Sequence, residues 1–158
     1  MSSDDPHHTQ QDKSADDEFD ADNIVERLEA IVRFLPIFEG RSFSFGEWMR
    51  ANESSGVVTL PFFSESTQAR DFVATAYRAD WVYPFDWTEW VGTDEANRLR
   101  NDPACLAKAN EQQLARLLTA CIRADRFNEG ALASDYESGL LTNILRRAAV
   151  LLADHKAT

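Results

Sequence analysis

Histidine is scarce in this sequence. Only three of the 158 residues are histidines, and none lies between Asp22 and Asp154. His7 and His8 are close to the N-terminus, and His155 is close to the C-terminus. Histidine is the most usual general base and the commonest metal ligand in proteins. The interior of the chain therefore lacks the residue on which Ser-His-Asp and Cys-His catalytic sites depend.

Cysteine and glycine are also few. The two cysteines, Cys105 and Cys121, form no Cys-x-x-Cys pattern. Without a histidine nearby they predict no zinc site, and the apolar spacing around Cys121 places it in the core. The six glycines are not grouped in a phosphate-binding loop, which argues against nucleotide and dinucleotide binding. We therefore predict neither a metal nor a cofactor.

Long apolar runs are absent. The longest extends from Ala148 to Ala153, whereas a helix needs about 20 apolar residues to span a bilayer. The polar N-terminus lacks the basic flank and the apolar segment of a secretion signal. The sequence therefore predicts a cytoplasmic protein with no membrane contact.

Basic residues are outnumbered by acidic ones, 16 against 27, and the formal net charge is −11. Residues 1–22 contain eight acids and Lys13, a net charge of −7, which leaves −4 for the rest of the chain. No dense run of Lys and Arg is present, which argues against nucleic acid as a partner. Only three of the basic residues are lysines. An acidic, lysine-poor surface is typical of a salt-rich cytoplasm, so a halophilic source is one interpretation.

Composition divides the chain into two regions. Residues 1–22 contain a single large apolar side chain, Phe19, too little to offset the entropy that ordering would cost. We predict a disordered acidic tail there. Residues 23–155 carry enough apolar residues for one core, and we predict a single helical domain.

Apolar residues recur at helical spacing along most of this domain. The pattern predicts a mainly α fold, a compact bundle of five to seven short and medium helices. The apolar stripes of the two longest helices are expected to face each other. Pro36 and Gly139 mark helix ends. Capping residues mark the helix starts, and they are Asp22, Ser64 or Ser66, Asp86, Thr93, Asp102 before Pro103, and Asn110 with Gln113.

Residues 43–60 have a different pattern. Phe43 and Phe45 alternate with serines, and Val57 to Leu60 favours a strand. The polar residues from Asn52 to Gly56 are typical of a turn. A small β-hairpin is therefore predicted near residues 43–60. The alternative is one helical turn from Phe45 to Met49.

Aromatic side chains are dense around Asp86. Such residues anchor the cores of small helical domains, and tryptophan and tyrosine are also enriched at binding surfaces. Both interpretations stay open, with Asp86, Trp87 and Trp90 as candidate ligand-binding residues. Asp86 and Glu89 also share one helical face, either as a carboxylate pair or as acids near a helix start. The aromatic residues of this segment are Trp81, Tyr83, Phe85, Trp87 and Trp90.

Two arginines and two acids follow at the end of an apolar helix. Charges so close to a packed interior are costly unless they are paired. One interpretation is an internal ion-pair lattice. The other is an anion site in which Arg123 or Arg126 binds a carboxylate or phosphate and Asp125 and Glu129 orient the arginines. We expect these four side chains to converge with the segment Trp81–Trp90.

Five segments together have a familiar pattern, namely Phe34-Leu-Pro36, Trp81 to Trp90, Leu117-Leu-Thr-Ala120, Arg123 to Gly130 and Ile144-Leu-Arg-Arg147. Over roughly Ile24 to Leu152 the chain resembles an uncharacterised prokaryotic family of unknown function with actinobacterial and haloarchaeal members. Where that family has cysteine followed by Glu-Gly-His, this chain has Asn128 to Ala131. The resemblance therefore implies no metal or thiol role, and it implies no activity.

The sequence thus favours a non-enzymatic binding or regulatory module that recognises a small anionic ligand or a protein segment. One alternative is a histidine-independent, hydrolase-like enzyme that uses carboxylates. The other is an interaction protein that acts through its acidic tail.

Overall fold

The computed structural model describes residues 19–50 and 60–158. In these ranges the chain forms nine helices and two strands. In chain order they are α1 (Ile24–Val32), α2 (Leu35–Phe38), β1 (Gly46–Met49), β2 (Phe62–Glu65), α3 (Thr67–Arg78), α4 (Trp87–Trp90), α5 (Asp94–Asn101), α6 (Pro103–Leu106), α7 (Glu111–Asp125), α8 (Ala131–Glu137) and α9 (Leu140–Lys156). Three of the helices, α2, α4 and α6, are single turns of four residues. The predicted mainly helical bundle with one small hairpin is confirmed.

Side-chain caps fix most helix starts where the sequence predicts them. Ser66 accepts a hydrogen bond from the amide of Ala69 at 3.2 Å at the start of α3. The capping box before α7 is complete, because the side chains of Asn110 and Gln113 each accept a hydrogen bond from the other's backbone amide. Thr93 caps α5 and Asp102 caps α6, each by accepting a hydrogen bond from a backbone amide in the first turn of its helix. Each cap satisfies an amide that the helix itself leaves unpaired.

The first helical segment departs from the prediction at both ends. Asn23, not Asp22, precedes α1, in the left-handed region with φ 56° and without a side-chain cap. Pro36 does not end α1, because it lies in the first turn of α2, where a missing amide hydrogen has no helical partner to lose. The chain therefore turns between Val32 and Leu35 and continues as a second short helix.

The hairpin consists of β1 and β2, which pair antiparallel with Trp48 opposite Phe63. The rings of these two residues lie 5.4 Å apart. The alternative of a helical turn from Phe45 to Met49 is wrong, because Gly46–Met49 is extended. The second strand of the described hairpin, β2, begins at Phe62, directly after Pro61. The predicted turn at Asn52 to Gly56 lies outside the described residues, as do 57–59 of the predicted strand.

The core forms where α9 packs against α1, α2, α6, α7 and α8. The expected contact between the two longest helices, α7 and α9, is present. Cys121 is fully buried among these helices, as predicted. The largest enclosed side chains include Trp81, Phe34 and Phe72. None of the helices in the described ranges is long and apolar enough to cross a membrane.

Arg27 fixes the entry of the chain to this core. Its guanidinium donates to the main-chain carbonyls of Asp20, Ala79 and Asp80. It also lies over the ring of Phe19, 4.5 Å from the centroid. The chain is therefore packed from Phe19 onward, four residues before the predicted domain start. Residues 1–18 of the predicted acidic tail lie outside the described residues.

Candidate functional site

The predicted arginine-acid cluster lies in the turn between α7 and α8. Arg126 ends α7, and the amides of Phe127 and Asn128 both donate to the carbonyl of Ala124. Gly130 then adopts φ 89°, which allows α8 to start in a new direction. This geometry sends the arginines and the acids of the cluster to different neighbours.

The two arginines share one aromatic ring. The guanidinium of Arg123 lies 5.8 Å and that of Arg126 lies 5.7 Å from the ring centroid of Tyr77 on α3. Neither arginine forms an ion pair with a residue in the ranges 19–50 and 60–158. The Tyr77 hydroxyl is buried and has no hydrogen-bond partner among these residues. The arginines are thus held by cation–π contact and are not neutralised by described carboxylates.

Arg123 also lines a groove beside the aromatic segment. The groove has a volume of about 400 Å³, and its other walls are Tyr83, Pro84, Phe85 and Trp87. This volume is in the range of small-molecule sites. The structure therefore brings two of the predicted site residues, Arg123 and Trp87, to one cavity.

Phe127 extends this aromatic surface. Its ring lies 6.2 Å from that of Trp87, and 83% of the side chain is exposed. Sequence reasoning did not select Phe127, although an apolar residue between Arg126 and Asn128 in a predicted helix break is a usable signal. Arg123 and Trp87 thus line one groove, and the exposed ring of Phe127 lies next to that of Trp87.

The two acids of the cluster hold backbone elements in place. Asp125 accepts a hydrogen bond from the backbone amide of Leu132 at 3.0 Å and so satisfies an amide in the first turn of α8. Glu129 accepts from the amide of Phe63 at 2.7 Å and so ties β2 to the turn. No hydrogen bond or ion pair joins either of these described acids to Arg123 or Arg126.

Asp125 and Glu129 line a second cavity, of about 310 Å³, on the hairpin side. Glu65 and Arg70 complete its charged lining. Burial raises the pKa of Glu65, the charge of Asp125 raises it further, and Arg70 opposes both. Sequence patterns do not predict that Glu65 lies near Asp125, because their proximity depends on how the hairpin docks.

Asp86 and Trp90 have structural partners. Asp86 caps α4, where its carboxylate accepts from the Thr88 hydroxyl at 2.8 Å and from the Glu89 amide at 3.2 Å. These hydrogen bonds lower the pKa of Asp86. Trp90 is buried, and its Nε1–H donates to Glu95 at 3.1 Å. Of the predicted aromatic candidates, Trp87 is the one that faces the groove.

In the part of the chain that the structure describes, no three His, Cys, Asp or Glu side chains are grouped so that they could hold a metal ion. The chemistry offered by the groove is therefore that of a guanidinium beside aromatic rings.

A protein-family model matches most of the chain. The model of the family described as "Family of unknown function (DUF6508)" matches residues 24–154. No curated protein and no solved structure matches the chain. The match has nearly the extent expected from the sequence resemblance, which it confirms.

Proposed function

We propose that this chain, which belongs to the family of unknown function DUF6508, is a non-enzymatic binding or regulatory module for a small anionic ligand with a flat apolar body. The observation that carries the proposal is the position of Arg123. Its side chain lines a groove of aromatic residues and has no ion-pair partner among the described residues.

The chemistry of the groove supports this ligand class. A guanidinium binds a carboxylate or phosphate through two parallel hydrogen bonds. The guanidinium of Arg126, which also lies near the Tyr77 ring, adds a second positive charge. Phe85 and Trp87 offer flat apolar surface to the body of the ligand. The guanidinium would thus bind the anion of the ligand, and the neighbouring aromatic side chains would pack against its ring.

The lining also favours binding over catalysis. Tyr83, Pro84, Phe85, Trp87 and Arg123 form its walls, and none of them is a carboxylate, histidine, serine or cysteine. General acid–base and nucleophilic catalysis draw mainly on those residue types. Asp86, the nearest carboxylate in sequence, is engaged as the cap of α4.

Phenyl phosphate is a suitable probe because it joins an anion to a flat ring. Binding is measured by tryptophan fluorescence, since Trp87 lines the groove, and by calorimetry. We expect saturable binding that Arg123→Gln weakens by about tenfold or more, the loss of a charge-assisted hydrogen bond. Inorganic phosphate and phenol, which each carry half of the probe, should bind more weakly.

Arg33→Gln is the matched control. Arg33 also lies over an aromatic ring, 4.6 Å from the Phe34 centroid, but it lines no part of the groove. It should leave probe binding unchanged. Equal affinity in wild type and Arg123→Gln, or equal loss in both variants, would reject the groove as the site. If the probe does not bind but a protein containing an acidic aromatic segment does, the ligand is a protein segment.

A carboxylate-based hydrolase is the second candidate function. The specific observation in its favour is the cavity shared by Glu65, Asp125 and Glu129, where burial and the charge of Asp125 raise the pKa of Glu65. Hydrolysis of nitrophenyl esters or glycosides that Glu65→Gln abolishes and Glu47→Gln preserves would favour this function. Glu47 is an exposed residue on the neighbouring strand. Absence of turnover throughout such a panel would leave binding as the function.

We also infer a cytoplasmic, salt-adapted setting. The support is the net charge of −11 with only three lysines, a composition that keeps a protein solvated when salt screens its charges. Thermal stability as a function of salt tests this inference.

A further inference from the structure

Another cavity lies on a different part of the domain, between residues of α5, α6, α8 and α9. This interhelical cavity has a volume of about 490 Å³, and Arg100, Asp135 and Leu106 are among its lining residues. A cavity of this size is in the range of small-molecule sites. It shares no lining residue with the groove that contains Arg123. The interhelical cavity is therefore a candidate site with a chemistry of its own.

An ion pair between two helices forms part of the lining. Arg100 Nη1 on α5 lies 2.8 Å from Asp135 Oδ1 on α8, and the Asp135 side chain is only 14% exposed. The second terminal nitrogen of Arg100, Nη2, lies 3.6 Å from the sulfur of Cys121, which is fully buried. These two contacts fix the guanidinium before any ligand arrives, which lowers the entropy that binding costs.

Both members of the ion pair keep hydrogen-bonding capacity. A guanidinium has five N–H donors, and a carboxylate accepts up to about four hydrogen bonds. The contacts with Asp135 and Cys121 use only two of the Arg100 donors. A ligand carboxylate can therefore bind Arg100, and a ligand ammonium can bind Asp135, without breaking the pair.

The neutrality of the pair selects the charge of the ligand. An anion bound to Arg100 lies close to the like charge of Asp135, and a cation bound to Asp135 lies close to the like charge of Arg100. A molecule that carries both charges places each beside its opposite, so attraction exceeds repulsion. The two charges of an α-amino acid are attached to one carbon atom, and they match the short separation of the Arg100–Asp135 pair.

The apolar part of the lining is aliphatic. Leu99, Leu106 and Leu140 belong to it, and each is at most 6% exposed. No aromatic residue is among the described residues that line the cavity. An aliphatic ligand side chain would remove these walls from water, whereas a flat ring has no aromatic surface to stack on.

We propose that the interhelical cavity binds a small zwitterion with an aliphatic side chain, of the class of the branched α-amino acids. Arg100 binds the carboxylate of the ligand, Asp135 binds its ammonium group, and the leucines pack on its side chain. This site goes beyond the proposed function, because its ligand has no net charge and contacts none of the groove residues.

Four compounds test the charge requirement on the full-length protein by calorimetry. They are leucine, 4-methylpentanoate, which lacks the ammonium group, 3-methylbutylamine, which lacks the carboxylate, and 6-aminohexanoate, an isomer of leucine with its charges far apart. We expect leucine to bind about tenfold more tightly than each of the others, the loss of a charge-assisted hydrogen bond. Equal affinities for all four, or no leucine binding at about 10 mM, a weak affinity even for so small a ligand, would overturn the proposal.

Asp135→Asn separates a binding role from a structural one. It should weaken leucine binding about tenfold, and it should strengthen 4-methylpentanoate binding, because the like charge beside Arg100 is gone. A variant that is merely loosened would lose both ligands, and that result would overturn the assignment of Asp135. If Asp135→Asn does not fold by circular dichroism, the preference of the wild type among the four compounds decides the proposal.

Asp71→Asn is the matched control. Asp71 is also paired with an arginine, Arg33, at 3.7 Å, but it lines no part of the interhelical cavity. It should leave leucine binding unchanged, and equal losses in Asp71→Asn and Asp135→Asn would overturn the proposal.

The groove and the interhelical cavity can be tested independently. Arg123→Gln should leave leucine binding unchanged, and Asp135→Asn should leave phenyl phosphate binding unchanged, because the two linings share no residue. Loss of leucine binding in Arg123→Gln would place leucine in the groove and overturn the interhelical cavity as its site.

Discussion

The indole Nε1–H of Trp81 donates to the main-chain carbonyl of Arg27 at 2.7 Å, and the Arg27 guanidinium lies 5.3 Å from the centroid of the Trp81 ring. Arg27 on α1 thus accepts a hydrogen bond from Trp81 through its backbone carbonyl. Its guanidinium also covers the Trp81 ring. The arrangement closes the junction between α1 and the segment that follows α3.

Arg27→Lys should destabilise the fold although it keeps the charge. A lysine ammonium lacks the planar fork that reaches the carbonyls of Ala79 and Asp80 at 2.8 Å each. We expect a loss of about 1–3 kcal/mol in the free energy of unfolding, measured by urea denaturation. Arg33→Lys, at an exposed position, should lose under about 1 kcal/mol. Equal losses in the two variants would contradict a specific contribution of the Arg27 hydrogen bonds to stability.

Gly130→Ala should loosen the hairpin. Gly130 and Gly139 both have φ 89°, so alanine is strained at either, by about 1–3 kcal/mol. An added Cβ at Gly130 would lie 2.8 Å from Trp48 Cζ2, whereas nothing lies within 4 Å of one at Gly139. We expect Gly130→Ala to cost about 1 kcal/mol more than Gly139→Ala in urea denaturation. The excess should vanish when Trp48 is replaced by alanine, and an excess that persists would contradict the Trp48 contact.

Glu65→Gln should stabilise the protein at neutral pH. Burial and the charge of Asp125 raise the pKa of Glu65, so the folded state binds this proton more tightly than the unfolded state. That contribution to stability is fully present below the unfolded pKa and is lost as the pH rises through the folded pKa. Glutamine cannot ionise, so the urea midpoint of the variant should exceed that of wild type at pH 7. The gain should shrink as the pH falls towards about 4, and a gain independent of pH would contradict the assignment.

Salt should preserve or raise the melting temperature between about 0.1 M and 1 M, as the Debye length falls from about 10 to 3 Å. The described ion pairs include surface contacts such as Arg146–Glu39 and Lys156–Glu29, which contribute little that screening can remove. The excess acidic charge repels itself, and salt relieves that repulsion. Differential scanning calorimetry in potassium chloride measures the effect. A marked fall in melting temperature would contradict the salt-adapted interpretation.

Local signals made the helices predictable. The caps at Ser66, Thr93, Asp102 and Asn110 act within three residues of their partners, so short-range sequence contains all that they require. The hairpin was harder, because its strands are separated by residues 50–61 and pair through tertiary contact. Sequence propensity therefore indicated a hairpin in this region but not the bounds of its first strand.

Of the seven candidate ligand-binding residues, Arg123 and Trp87 line the groove, and the partners of the arginines and acids could not be predicted. An arginine near an apolar helix end needs compensation, which the sequence indicated for Arg123 and Arg126. That Tyr77 provides it, while Asp125 and Glu129 bond to backbone amides, depends on how α3 and β2 pack beside the turn. Arg27 was missed for the same reason, since two of its acceptors, the carbonyls of Ala79 and Asp80, lie more than 50 positions away.

The reactivity of Cys121 reports how often the protein interior opens. Its side chain is fully enclosed, burial raises the pKa of its thiol, and Arg100 Nη2 lies 3.6 Å from its sulfur. Alkylating reagents attack the thiolate and need access, so they can react at this position only in molecules whose interior has opened. Cys105 is half-buried and should react without such opening. The labelling rates of the two native thiols therefore separate surface fluctuation from exposure of the core, with no dye and no substitution.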